Sequence, residues 1–155
     1  MPRVSRTRLI AVPRERVWTL VSDPHHIPRW WPRTQRVEDV RGAAGTKRTQ
    51  WTTVLSTERG AGVRADFRCV SAARPEGYIW ELNLEGTPFE RILREATLEI
   101  RLDASGGGTT VTLASREWLR GLSRLGGLMM RRATRRRLDE ALDGIELALV
   151  ANGEG

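Results

Sequence analysis

The chain has 155 residues, 39% of them hydrophobic and 29% charged, which excludes a disordered tail and supplies a core of ordinary size. No apolar run approaches the ~20 residues of a membrane-spanning helix, and one cysteine, Cys69, with two histidines, His25 and His26, excludes a disulfide framework and a multi-cysteine or His-rich metal centre. The net charge of +7 comes from 26 basic residues, of which only Lys47 is a lysine, spread among 19 acids. So strong an arginine bias suggests a GC-rich genome at least as readily as selection for phosphate contacts; the excess is read as a solvated, arginine-biased surface, and no nucleic-acid partner is expected.

Residues 4–12 alternate and predict a strand. Pro13 opens a short helix in which Val17, Leu20 and Val21 fall at helical spacing. Asp23-Pro24 ends it, with Asp23 placed to cap a second short helical piece running from His26 to Trp31. From residue 34 the pattern changes to period two. Strands are expected near 35–41, 46–58, 62–73, 77–86, 91–103 and 109–118, punctuated by Gly42 with Gly45, Gly60-Ala61-Gly62, Pro75-Glu76-Gly77, Gly86-Thr87-Pro88 and Gly106-Gly107-Gly108. Consecutive strands joined by tight Gly/Pro turns make an antiparallel meander. The tail is helical, with Leu138, Ala141, Leu142, Ile145, Ala148 and Leu149 in one apolar stripe.

The expected architecture is therefore α+β: a seven-stranded curved antiparallel sheet around one long C-terminal helix, with two short helices after the first strand. Trp80, Leu82 and Leu84 define one face of their strand, and Ile92, Ala96, Leu98, Ile100 and Leu102 the matching face of the next; Phe67 with Cys69, and Val111 with Leu113, continue it. One helix cannot fill the concave side of such a sheet. The leftover space is either plugged by large side chains or kept as a cavity.

Val12-Pro13-Arg14-Glu15-Arg16-Val17-Trp18, then Asp23-Pro24 and Trp30-Trp31-Pro32, resembles the opening signature of the START-like, or SRPBCC, superfamily, and within it the polyketide cyclase/dehydrase branch common in actinobacteria. The likeness continues through Gly86-Thr87-Pro88-Phe89, Gly108-Thr109-Thr110-Val111-Thr112-Leu113 and the Arg-rich, Leu/Ala-rich last helix. It implies that residues 1–155 form one domain with the helix-grip fold, also that of the major birch-pollen allergen, enclosing a hydrophobic tunnel between sheet and C-terminal helix. Members bind lipids, sterols or polyketides, act as aromatase/cyclases, or form the ligand chambers of ring-hydroxylating oxygenases. Fold does not decide among these.

Candidate ligand contacts follow from the inward face: Trp30, Trp31, Trp51, Phe67, Trp80, Leu82, Leu98 and Leu113, with the tryptophans either stacking on a ligand or simply filling core. Trp18 is expected as an anchor under the sheet. Arg94 interrupts one apolar face and Glu117 lies in register with Val111, Leu113 and Ser115. The two either form a polar patch in the cavity that anchors a carboxylate, phenol or carbonyl, or reach solvent from strand ends. Arg131 and Thr134 share a helical face with Leu138 and Leu142, so Arg131 points to the sheet if the helix is continuous from Gly127. Otherwise it joins a solvated cluster with Arg132, Arg135, Arg136 and Arg137, where Arg135–Asp139 and Arg136–Glu140 would pair at i,i+4.

His25 and His26 are the two imidazoles and sit where the family has its cavity mouth; His26 is the candidate general acid/base, and the alternative is a solvated or capping histidine. Cys69 is expected as a small buried hydrophobe, Ser71 and Ser115 lack a base at motif spacing, and the glycine run 106–108 lacks the lysine of a phosphate loop. No metal and no cofactor are expected, and nothing marks the oligomeric state. Three functions fit: a binder of a hydrophobic small molecule, a polyketide cyclase/dehydratase working through Arg94, Glu117 and His25 or His26, or an interaction domain using its basic surface. The first is the expectation adopted. The opening residues, Met1-Pro2-Arg3-Val4-Ser5-Arg6, lack a signal peptide's apolar stretch, so the expected location is the cytoplasm, without membrane insertion.

Overall fold

A computed structural model describes residues 3–57, 60, 62–121 and 124–150. The elements are β1 (Arg3–Ile10), α1 (Arg14–Val21), a 3-10 turn (Pro24–His26), α2 (Ile27–Trp30), β2 (Thr34–Arg41), β3 (Gln50–Leu55), β4 (Val63–Ala73), β5 (Gly77–Leu82), a second 3-10 turn (Pro88–Arg91), β6 (Leu93–Ser105), β7 (Gly108–Leu119) and α3 (Arg124–Val150). The strands form one antiparallel sheet in the order β1-β7-β6-β5-β4-β3-β2. It is a meander in which β1 returns to pair with β7.

Local chemistry explains the boundaries. Asp23 accepts the His25 backbone N–H at 3.0 Å, which caps the 3-10 turn as the sequence suggests. The third strand starts later than expected, at Gln50 rather than near residue 46, because Thr49 Oγ1 donates to the carbonyls of Ala43 and Thr46 and folds 43–49 into a loop. Its expected end at Glu58 and the centre of the Gly60-Ala61-Gly62 turn lie outside the described residues. The fifth strand stops at Leu82, and Pro88–Arg91 form a turn of helix before β6.

The core sits on the concave face. Val17, Trp18, Leu20 and Val21 of α1 and the Leu138, Ala141, Leu142, Ile145 stripe of α3 are all buried against Tyr78, Ile100, Leu102, Val111 and Leu113. At ~25 cal/mol per Å² of apolar area removed from water, this contact is the main favourable term of the fold. Two devices fix α3 across the sheet. On one flank, Arg6 holds Asp139 at 2.8 Å, while Arg8 pairs with Asp143 and reaches Glu146 at 3.6 Å. On the other, α2 crosses α3 at Gly144, where an added Cβ would lie 2.5 Å from the Trp30 carbonyl oxygen. The glycine is what lets the two backbones meet. Asp139 thus pairs with β1 and not with Arg135, its expected i,i+4 partner.

The convex face carries charge. Arg36 and Arg64 both bond Glu38, and Arg68 bonds Glu81. The first two guanidiniums hold the Glu38 carboxyl below its ordinary range.

Candidate functional site

The concave space is filled unevenly. Trp80 projects from β5 between its cross-strand neighbours Cys69 and Leu98, and it collects four other rings. Trp30 and Trp31 lie 5.6 and 5.5 Å away by centroid, and Trp51 and Phe67 at 5.7 and 5.9 Å. Trp51 and Phe67, directly paired between β3 and β4, stack at 6.1 Å with 12° between their planes. Each such pair is worth about 0.5–1.5 kcal/mol beyond its area. The rings plug part of the space: Trp30 and Trp51 are each 2% exposed, with indole N–H groups that meet no acceptor among the described residues.

Beyond this plug a cavity of about 210 Å³ remains. Trp31, Phe67, Trp80, Leu82 and Leu98 wall it from the sheet and α2, and Phe89 and Leu93 close it from the second 3-10 turn and the start of β6. Its polar corner is made by Ser115, Glu117 and Arg137. Arg137 Nη2 donates to Glu117 Oε1, and Ser115 Oγ donates to the same oxygen at 3.4 Å. The guanidinium lies 6.0 Å from the Trp31 ring centroid, a cation–π contact that holds it against the wall. Arg137 Nε is buried without a partner among the described residues. An unsatisfied charged donor at a cavity wall costs free energy until an acceptor reaches it.

Of the expected contacts, Trp31, Phe67, Trp80, Leu82, Leu98 and Glu117 line this cavity. Trp30, Trp51 and Leu113 are buried in the packing behind it. Arg94 is a correction: it is exposed, on the outer side of the sheet near Glu81 and Glu85, and forms no pair with Glu117. The cause is a β-bulge. Leu93 faces Leu119 and Glu95 faces Trp118, which leaves Arg94 as the extra residue and reverses the alternation before it. For the same reason Leu93 faces inward, while Ile92, expected inside, precedes β6 as the helical cap of the second 3-10 turn and is 55% exposed.

Arg131 is also exposed, although α3 runs unbroken through Gly126 and Gly127. It stands at the rim of a neighbouring cavity of about 220 Å³ lined by Val4, Trp118, Leu119, Met130 and Thr134. His26 is not at the cavity: its Nδ1 is 3.2 Å from the Thr19 carbonyl oxygen and its Nε2 is 3.9 Å from Asp23. His25 is exposed and bonds Asp23. The residue that sequence reasoning misses is Arg137, which it assigns to a solvated cluster. Its signal is Thr134 and Ala141, both buried, at i−3 and i+4 on the same helix.

Cys69 is buried as expected, and burial pushes its thiol up. Tyr78 beside it is raised further from the ordinary phenol range, by burial first and by Cys69 second.

A curved antiparallel sheet gripping one long helix, with an apolar cavity between them, defines a helix-grip protein. The chain belongs to the family described as polyketide cyclase / dehydrase and lipid transport, whose model matches residues 1–149. No protein of curated function matches it in sequence. Among solved structures it is similar to the protein TTHA0849 from Thermus thermophilus, with 22% identity, 97% of this chain and 98% of that one covered, and a TM-score of 0.71. It is similar to a START superfamily protein from Mycobacterium smegmatis at 14% identity, covering 93% and 94% of the two chains, with a TM-score of 0.72. It also resembles the di-domain ARO/CYC StfQ from the steffimycin biosynthetic pathway, at 11% identity and a TM-score of 0.75, over 93% of this chain and 49% of that one. Likeness at these identities is likeness of fold.

Proposed function

We propose that the protein binds a hydrophobic small molecule, a lipid, polyketide or aromatic compound, in the cavity between the sheet and α3. The observation that carries this reading is the cavity wall: aromatic and aliphatic side chains with one charged corner, made by Glu117 and Arg137, the Arg137 Nε being buried without a partner among the described residues. Such a site takes an apolar body with an acceptor oxygen, a carbonyl, phenol or carboxylate, placed at the guanidinium. Family membership and the fold agree with it. Native against denaturing mass spectrometry, on protein purified without organic solvent, tests the proposal. The expected result is a stoichiometric mass difference that disappears on denaturation, with an apolar, oxygen-bearing compound in the extract.

One observation favours a second reading, a polyketide cyclase/dehydratase in the same cavity: Glu117 is a carboxylate at the cavity wall. Arg137 takes the orienting role expected of Arg94. General-base action is worth about 10²–10⁴ in rate, so Glu117→Gln would lower turnover of a poly-keto substrate by that factor while leaving its binding largely intact.

A further inference from the structure

Two cavities meet at one pair of side chains. The first is the aromatic chamber of about 210 Å³; the second, of about 220 Å³, lies between the end of β7 and the first turns of α3. Ser115 and Glu117 line both. On α3, Thr134 lines the second chamber and Arg137, one turn further on, lines the first. The Glu117–Arg137 bridge therefore stands where the chambers adjoin.

Size argues that a drug-sized ligand needs both chambers. Sites for drug-sized ligands occupy roughly 300–1,000 Å³. Each chamber falls short of that range, and the two joined enter it. The partition is also lightly built. Glu117 and Arg137 are 22% and 38% exposed in their side chains, and among the described residues the carboxylate is held only by Arg137 and by Ser115 at 3.4 Å. A pair that water reaches can part without stranding a buried charge.

Resting on the binding reading above, we infer that the two chambers are one site for an elongated apolar molecule with an acceptor oxygen away from its ends, and that Glu117–Arg137 is the partition that oxygen opens. The oxygen takes the Arg137 guanidinium, and Glu117 keeps Ser115. One apolar arm lies among Trp31, Phe67 and Trp80. The other passes Val4, Leu119 and Met130 toward Arg131, which is exposed at the rim and suited to a terminal carboxylate. Ligands short enough for one chamber leave the partition shut.

Quenching of tryptophan fluorescence tests this with three probes: decanoic acid, octadecanoic acid and 10-oxooctadecanoic acid. The wild-type protein is expected to bind the oxo acid one-to-one and roughly tenfold or more tighter than octadecanoic acid, the usual worth of a hydrogen bond to a charged group. Met130→Trp and, from the opposite wall, Leu119→Trp fill only the second chamber. Both are expected to weaken the oxo acid at least about tenfold while leaving decanoic acid within about twofold. Ala96→Phe, which fills the first chamber, is expected to weaken all three. Unchanged oxo-acid binding in both second-chamber variants, with loss in Ala96→Phe, overturns the joined site and leaves the single-cavity reading standing. Two molecules bound per chain also overturns it. Wild-type protein that binds none of the three overturns the binding reading itself, and the joined site with it.

Discussion

Gly144→Ala sets two effects of known size against each other at the place where the cavity wall is docked. Alanine is favoured over glycine inside a helix by about 1 kcal/mol, so helix propensity alone predicts stabilisation of α3. The new methyl, however, would meet the Trp30 carbonyl oxygen at 2.5 Å, its Cα at 2.8 Å and its carbonyl carbon at 3.0 Å. These are backbone atoms of α2, and no rotamer change moves them aside. Overpacking of this kind costs about 1–3 kcal/mol. The net expectation is a loss of up to about 2 kcal/mol, which in a chain of this length lowers Tm by roughly 2–4 °C per kcal/mol. Because α2 carries Trp30 and is followed by Trp31, the shift also moves the wall of the aromatic chamber, so ligand affinity falls with stability. Ala133→Gly, at an exposed position of the same helix, measures the propensity effect by itself. If Gly144→Ala stabilises by as much as Ala133→Gly destabilises, α2 does not sit on α3 as described, and the positioning of Trp31 by that contact is refuted.

Arg137→Met keeps the apolar stem and removes the charged donor; binding of an oxygen-bearing ligand is expected to weaken by about 10- to 100-fold in a titration, the effect of one charge-assisted hydrogen bond. Arg94→Ala is its counterpart on the outer face and is expected to change stability by less than ~0.5 kcal/mol and leave binding unaltered in the same titration. Tyr78 is the only tyrosine, so absorbance at the phenolate band reports it alone. Its folded pKa is raised above the unfolded value of about 10, so its contribution is complete below pH ~10 and is lost as pH rises beyond, by up to ~1.4 kcal/mol per unit; phenolate is expected to appear only together with loss of the far-ultraviolet dichroism, and phenolate in the folded protein would contradict its burial. The Cys69 thiol is expected to stay unreactive toward a disulfide reagent at pH 8 in the native protein and to react on denaturation, because burial keeps it protonated and covered.

The strand order is readable in the sequence because its punctuation is chemical. Glycine pairs and Pro-Glu-Gly interrupt period-two runs at intervals that leave a meander as the simplest connection, and the α3 stripe fixes which helix covers it. Parity is harder. Period-two counting carries one phase along a whole strand, and a single bulge reverses everything on one side of it. Nothing in Leu93-Arg94-Glu95 announces that bulge, which pairing with Trp118 and Leu119 imposes from the next strand. Counting therefore puts Ile92 and Arg94 inside and Leu93 outside, while Leu98, Ile100 and Leu102, beyond the bulge, fall on the correct face.

Arg137 escapes the sequence for a different reason, and the reason bears on what the site can do. Five arginines in seven residues read as one solvated run, yet the curved sheet reaches around the flank of α3 and takes one of them as the partner of Glu117. A glutamate on an inward face needs such a partner, so the missing cation is implied by Glu117 itself. What that partner does to Glu117 separates the two functional readings. The carboxylate oxygen that bonds Arg137 also accepts Ser115, so the other oxygen, Oε2, is the one through which Glu117 would take a proton from a substrate. In the joined site inferred above, Arg137 meets a ligand oxygen by parting from Glu117, its buried Nε having no partner among the described residues. A ligand long enough to part the bridge is the kind for which Glu117→Gln would separate turnover from affinity.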